Sequence, residues 1–192
     1  MTGKSSNGPT LNQIVPWKVL GEGDLEVTYF DELKRYLENV TFDTDNAKGG
    51  DLANMRRLSE KKSKNGLKIV VMDIDQNSPE ELRQFNEWCI RNNISLLISN
   101  PSFEVWLLMH FKNVSSNMDQ DDLENNLTAV LNRKYEKKKS IRPNRKTIYS
   151  AVDRAKGKIP HDADPFEYVL THPGNTMMPL LFEIVGEEFV HS

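Results

Sequence analysis

The sequence lacks several features that define common protein classes. It has a single cysteine, Cys89, which excludes an intramolecular disulfide, and no cluster of cysteine and histidine has the spacing of a zinc site. No apolar run approaches the ~20 residues that a membrane-spanning helix needs. Residues 1–10 lack the apolar centre of a signal peptide. These absences predict a cytoplasmic protein with no membrane partner.

The sequence also lacks an excess of charge of one sign. Its formal net charge is -3 over 192 residues, which argues against a uniformly basic coat for nucleic acid. The mean hydropathy of -0.59 indicates a strongly charged surface. Any polyanionic partner would therefore have to meet a local basic patch.

One short segment organises the rest of the chain: residues 68–77, KIVVMDIDQN. The apolar run Ile69–Met72 predicts a strand buried on both faces. Asp73 and Asp75 follow it, and alternation along a strand places both carboxylates on one side. Two such carboxylates repel each other unless a cation or a proton joins them. The alternative is that an aspartate caps the next helix, but Ser78 and the residues after it already supply a capping box, which favours a metal site.

The first half of the chain alternates strands and helices, which predicts a parallel sheet. We expect strands at residues 13–20, 40–42, 68–75 and 94–98, and helices at residues 25–38, 51–64, 79–92 and 103–111, with a polar loop at 43–50. The second half predicts helices at residues 121–139, 145–156 and 177–190, with turns bounded by Pro165 and Pro173. The whole reads as a disordered tail (1–13) and one domain (14–192), with an α/β core over residues 14–112 and a helical portion over 113–192.

Carboxylates follow two of the predicted strands. Glu22 comes after the first strand, and Asp73 and Asp75 come after the third. If those strands are neighbours, the three side chains converge on one edge, where parallel sheets bind ligands. Oxygen ligands of this kind suit Mg²⁺. Glu26 and Glu104 are further candidates, although each could be a first-turn acid favoured by its helix dipole.

The apolar segment 103–111 predicts a buried helix. Phe103, Trp106 and Leu107 are expected core residues. His110 lies on the same face, and a lone histidine there is more often a core residue than a catalyst. Asn100 could cap this helix or meet a phosphate, and we favour the cap.

The densest basic run lies in the second half. On its own it is typical of a solvated helix face, although Tyr135 and Tyr149 flank it and aromatic residues among cations suit nucleic-acid contacts. The candidate docking residues are Arg133, Lys134, Lys137, Lys138, Arg142, Arg145 and Lys146.

The segment Ser99–Phe111, SNPSFEVWLLMHF, resembles a motif of the RloB family, also described as abortive-infection AbiL-type proteins. The resemblance continues in the turn around Glu22 and in the strand that ends at Asp75. It also includes Tyr135 with Lys137, residues 151–155 and residues 173–176, so that it spans residues 14–190.

This resemblance carries expectations about fold and function. The family is similar to Toprim domains, the α/β fold of topoisomerases, primases and nucleases, which bind Mg²⁺ through a glutamate after the first strand and a DxD motif after a later one. It implies a Toprim-like core in which Glu22, Asp73 and Asp75 hold Mg²⁺ or Mn²⁺. Glu22 would act as general base or metal-bridging ligand, and Glu26 and Glu104 as supporting catalytic groups.

The implied function is a metal-dependent nuclease in anti-phage defence, acting on DNA or RNA as the effector of an AAA-type ATPase. The alternative is a non-catalytic partner that binds nucleic acid or a nucleotide and regulates that ATPase.

Overall fold

The computed structural model describes residues 15–37, 40–60, 66–74, 76–139 and 141–185. The expected tail, Asp75 and the last part of the expected C-terminal helix lie outside the described residues. The expected α/β fold is confirmed.

Within these ranges, five strands form one sheet: β1 (Val15–Gly21), β2 (Val40–Asn46), β3 (Lys68–Asp73), β4 (Ile94–Asn100) and β5 (Asn175–Thr176). Their spatial order is β2-β1-β3-β4-β5. The first four strands are parallel, and β5 pairs antiparallel with β4. The neighbours β1 and β3 are central, so their carboxyl ends meet at the middle of one edge.

Helices follow most of the strands. The first group is α1 (Asp24–Leu33), extended by a 3-10 turn (Lys34–Tyr36), then α2 (Leu52–Ser59) and α3 (Pro79–Arg91). The second group is α4 (Glu104–Met109), α5 (Gln120–Leu131), α6 (Arg145–Lys156), α7 (Pro165–Thr171) and α8 (Pro179–Val185). Ser78 caps α3 and its hydroxyl pairs with Glu81, as the sequence predicts. None of the helices in the described part of the chain is long and apolar enough to cross a membrane.

The helix α4 is buried and packs against α5 and α6. All of its residues are buried, and Phe103, Trp106 and Leu107 are at most 1% exposed, which confirms them as core residues. His110 is also buried, and its ring nitrogens lie 3.3 Å from the Tyr29 hydroxyl and 3.2 Å from the Thr147 hydroxyl.

The strand β2 is longer than its apolar residues indicate. The expected polar loop at 43–50 is wrong over residues 43–46, because the strand continues to Asn46 and pairs with β1 along its whole length, and the loop begins only after it. Since β2 is an edge strand, its polar side chains beyond Phe42 can reach solvent while the backbone stays paired.

The helix α5 is shorter than expected. The prediction of a helix to residue 139 is wrong, because Asn132 adopts a left-handed conformation (φ 50°) and ends the helix. The chain then turns back, the Tyr135 amide donates to the Thr128 hydroxyl, and the Tyr135 ring is buried. The basic run is therefore not one helix face.

Two C-terminal elements differ from the prediction as well. Residue Pro165 begins helix α7 instead of bounding a turn, since proline is favoured at a first helical position and Asp164 caps the helix. The two-residue strand β5 carries no periodic signal of its own, and its pairing with β4 depends on contacts distant in sequence.

Candidate active site

Glu22 and Asp73 lie together at the carboxyl ends of β1 and β3. The Glu22 amide donates to the Val71 carbonyl (3.0 Å), which carries the β1–β3 pairing one residue beyond the strand. The Glu22 carboxylate turns back over β3, and its Oε2 accepts a hydrogen bond of 3.0 Å from the Asp73 amide. Glu22 is only 8% exposed. The structure thus brings these two expected ligands together, as the parallel strand order requires.

The loop after β2 encloses the Glu22 carboxylate. The Gly49 amide donates to the Glu22 carbonyl (2.9 Å). A Cβ added at Gly50 would lie 2.9 Å from Glu22 Oε1, so any side chain there would have to displace the carboxylate. Glycine at this position therefore makes the room that Glu22 occupies.

Asp73 also caps a helix, although a different one from the helix considered in the sequence. Its Oδ1 accepts a hydrogen bond of 2.7 Å from the amide of Phe103, the N-cap residue of α4. The capping role expected for Asn100 is wrong, because the Asn100 side-chain amide instead donates to the Val169 carbonyl (2.8 Å). Asp73 thereby fixes α4 relative to the strand ends.

Asp75 lies outside the described residues, so its expected place beside Glu22 and Asp73 stays a prediction. Among the residues that the structure describes, no group of three His, Cys, Asp or Glu side chains is arranged to hold a metal ion. The described part of the site contributes Glu22 and Asp73, on adjacent strands.

Glu26 lies one helical turn beyond Glu22 and is 4% exposed. Its Oε2 accepts a hydrogen bond of 2.8 Å from the Gly23 amide, so it stabilises the start of α1 and also lines the site. Burial raises the pKa of Glu26 to about 7, against the lowering effect of backbone hydrogen bonds. The negative charges of Glu22 and Glu104 contribute to the raised pKa, which shows that these acids share one electrostatic environment.

Glu104 is held by side chains. It is 1% exposed, and its Oε1 accepts a hydrogen bond from the Tyr135 hydroxyl (3.1 Å) and lies 3.2 Å from Lys137 Nζ. Its Oε2 is buried and has no hydrogen-bond partner among the described residues. Desolvation alone would lower the pKa of Lys137, but the carboxylates of Glu104, Glu124 and Asp73 together outweigh it and the pKa is raised.

These residues line one open cleft of about 540 Å³. Four of the five expected catalytic residues are in its wall, and the fifth, Asp75, is not described. Sequence reasoning missed several other residues of the lining: Asp24, Asn46, Lys48, Gly49 and Gln76. Asn46, Lys48 and Gly49 would have been expected here if the end of β2 had been predicted correctly. Asn46 pairs with Gly21, so the end of β2 lies at the same sheet edge as Glu22.

The expected basic residues divide into two groups. Lys137 and Lys138 line the cleft, and Lys138 Nζ lies 4.0 Å from Asp24 Oδ2 at its rim. The others do not line it: Arg133, Lys134, Arg142, Arg145 and Lys146. Their expected contact with nucleic acid stays a prediction.

His110 does not belong to the cleft lining. Burial lowers its pKa to about 3, and the positive charge of Arg154 contributes. The imidazole is therefore neutral at physiological pH, and His110 is a buried core residue.

Comparison with known proteins gives one match. The sequence model of a family described as RloB-like protein matches residues 19–184, which include every site residue discussed above. No curated protein matches the chain. No solved structure matches it either.

Proposed function

The chain belongs to the RloB-like family, and on that premise we propose that it is a Toprim-like, metal-dependent nuclease that hydrolyses phosphodiester bonds of DNA or RNA. The observation that carries this proposal is the cleft in which Glu22, Glu26, Asp73 and Glu104 meet beside Lys137. Carboxylates that share a cleft with lysines suit a substrate that is anionic and a cation that joins acid to phosphate.

The residues present fit a divalent cation by their chemistry. Glu22 and Asp73 supply hard oxygen donors from the ends of adjacent strands. Glu22, Asp73 and Asp75 would hold the ion. When bound, it would supply positive charge to the phosphate and favour ionisation of a coordinated water.

The protein's own groups have separate tasks in this proposal. Hydrolysis joins a water oxygen to phosphorus and breaks one ester P–O bond, so the water must lose a proton and the leaving oxygen must gain one. Glu22 lies at the end of β1, where Gly50 leaves room for its carboxylate, and would accept the proton or bridge to the ion. Glu26 and Glu104 would shape the charge of the cleft, and the basic residues would orient the nucleic-acid backbone.

The test is cleavage by the purified protein. Labelled single- and double-stranded DNA and RNA are incubated with Mg²⁺ or Mn²⁺, and with EDTA as the metal-free control. We expect Asp73→Asn and Glu22→Gln to abolish cleavage. The matched control is Asp43→Asn, which neutralises an exposed carboxylate on the edge strand β2, away from the cleft. Equal cleavage by wild type and Asp73→Asn contradicts the proposal.

The setting that we propose is anti-phage defence, with an AAA-type ATPase as the partner. This part follows from the family resemblance. It is tested by repeating the substrate screen with and without the ATPase and ATP. We expect the ATPase to increase cleavage or to change the preferred substrate.

A second candidate is a non-catalytic partner that binds nucleic acid or a nucleotide and regulates the ATPase. The observation that favours it is that Asp73 caps α4 and Glu104 is tied to Lys137 and Tyr135, so both acids have structural contacts. Nucleic-acid binding without cleavage under any metal and partner condition would favour this candidate.

A further inference from the structure

We propose that Lys137 is the residue that contacts the scissile phosphate in the cleft, and that Glu104 and Tyr135 are positioning residues that hold its ammonium there. This inference rests on the proposed phosphodiesterase function and identifies which cation of the cleft meets the substrate. It also separates Glu104 from the acids that would hold a metal ion.

The first argument is the asymmetry of the Lys137–Glu104 pair. The Glu104 side chain is 1% exposed, whereas the Lys137 side chain is 56% exposed and lines the cleft. The carboxylate is therefore fixed inside the protein, and the ammonium stands at the surface where a ligand would arrive. Tyr135 donates to the same Oε1 at 3.1 Å and so fixes the oxygen that Lys137 contacts at 3.2 Å.

The second argument is that this pair is poorly explained by stability. Burying an acid costs free energy, which the attraction to a cation only partly offsets, so buried pairs are weak sources of stability. Here the hydrogen bonding of the buried carboxylate is also incomplete, since Glu104 Oε2 is buried without a hydrogen-bond partner among the described residues. One oxygen of Glu104 orients the lysine, and the other stays unpaired beside the cleft.

The third argument is a comparison with the other lysines of the cleft. The Lys138 side chain is 86% exposed and lies 4.0 Å from Asp24, beyond hydrogen-bond distance. Lys48 is exposed on the loop after β2. Both would have to be ordered when a substrate binds, which costs conformational entropy. Lys137 is already held, and a preorganised charge stabilises a transition state better than one that must be ordered first.

The charge of Lys137 has a defined task in the reaction. As the water oxygen bonds to phosphorus and the ester bond breaks, negative charge is carried by the non-bridging oxygens. Lys137 would donate a hydrogen bond to one of them and transfer no proton, since its ammonium stays protonated throughout. Removing one preorganised donor of this kind typically lowers kcat by about 10²–10³-fold.

The experiment uses paired substitutions that leave the net charge unchanged. The double variant Lys137→Met with Glu104→Gln removes both charges of the pair, so no buried acid is left without its cation. The matched control is Lys139→Met with Glu136→Gln, which removes an exposed pair of the same residue types two positions away, 2.7 Å apart and outside the cleft lining. Thermal melts verify that both double variants fold.

Two measurements are made on each protein. The first is cleavage with Mg²⁺, where the cleft variant should lose kcat by about 10²–10³-fold with KM changed much less, and the control should match wild type. The second is the salt dependence of binding of a short single-stranded oligonucleotide in EDTA. One lost phosphate contact should reduce the log–log slope by about 0.7 in the cleft variant and leave the control unchanged.

Positioning by Tyr135 is tested with Tyr135→Phe, which keeps the buried ring and removes only the hydroxyl. It should lower kcat by up to about tenfold with KM and the melting midpoint little changed. A purely structural hydroxyl would move the midpoint and leave kcat unchanged.

The outcomes separate this inference from the proposed function. A wild-type protein that cleaves no nucleic acid defeats the nuclease proposal alone, because the binding slopes still test Lys137. Equal slopes for the two double variants, or full kcat in the folded cleft variant, overturn the assignment of Lys137 and leave the nuclease proposal standing.

Discussion

The two sides of the cleft hold their acids in different ways. On the strand-end side, Glu22, Glu26 and Asp73 each accept a hydrogen bond from a backbone amide. On the opposite side, Glu104 is held by the side chains of Tyr135 and Lys137. Backbone donors are fixed by the fold, whereas side-chain donors can be removed one at a time. Substitutions of single residues, except by proline, therefore cannot remove the donors of the strand-end side. They can remove the two donors that hold Glu104.

The largest expected effect concerns Glu26, whose pKa is raised in part by the negative charges of Glu22 on one side and Glu104 on the other. A carboxyl whose pKa rises on folding, here from 4.5 to about 7, contributes stability below pH 4.5 that is lost as the pH rises to about 7. The loss can reach about 3 kcal/mol. Glu26→Gln should remove this part of the pH dependence, so that the variant gains stability over wild type between pH 5 and 8. Urea unfolding in EDTA across this range measures it, and parallel pH profiles would contradict it.

The next prediction is that the metal ion binds on the strand-end side of the cleft. A cation that binds only the folded protein stabilises it by about 2.7 kcal/mol at a hundred times its Kd. We expect Mg²⁺ or Mn²⁺ to raise the stability of wild type and of Glu104→Gln, and to have little effect on Asp73→Asn. Melts with metal and with EDTA make the comparison. An equal loss of the metal effect in both variants would show that the two sides bind the ion together.

Without metal, replacing the backbone-held acid Asp73 should lower the free energy of unfolding more than replacing an exposed acid. Asp73→Ala leaves the Phe103 amide without its acceptor and should cost about 2 kcal/mol. Asp73→Asn keeps an acceptor oxygen and should cost less than about 1 kcal/mol. Urea unfolding in EDTA measures both, with Asp43→Ala as the exposed control. If Asp73→Ala is as stable as the control, the capping bond contributes nothing.

A smaller effect measures the Glu104 side directly. A double-mutant cycle of Lys137→Met and Glu104→Gln should give a coupling free energy of about 1 kcal/mol. The same cycle for the exposed pair Lys139 and Glu136 should give a clearly smaller coupling free energy, because solvent screens exposed charges. Equal couplings would mean that the burial of Glu104 adds nothing to the pair.

The smallest effect on stability is expected at Gly50, although its effect on the site should be clear. Gly50→Ala places a methyl group 2.9 Å from Glu22 Oε1, and this clash opposes the usual gain from reduced unfolded-state entropy. The net change in unfolding free energy should be a few tenths of a kcal/mol. Metal-dependent stabilisation should nevertheless fall, because Glu22 is displaced. Gly157→Ala, at the end of α6, is the control, and an unchanged metal response in Gly50→Ala would contradict the prediction.

The sequence predicts the strand-end side better than the Glu104 side for a physical reason. The meeting of Glu22 and Asp73 follows from parallel strands of buried residues, and that pattern is local. Sequence separation is not the reason, since Glu22 and Asp73 are 51 residues apart and Glu104 and Tyr135 only 31. The apolar stripe of α5 gives no sign that Asn132 turns the chain back. Local periodicity therefore predicts the sheet and its edge, and misses the contacts that complete the cleft.

The short strand β5 has a consequence for how the chain folds during synthesis. It covers the outer edge of β4, and the hydroxyls of Ser99 and Thr176 that join across this pair are 77 residues apart in sequence. An uncovered strand edge is a template for pairing with another chain. Until residues 175–176 have left the ribosome, β4 stays open at that edge. The nascent chain therefore exposes this edge to self-association from the synthesis of β4 until that of β5, whose pairing covers it.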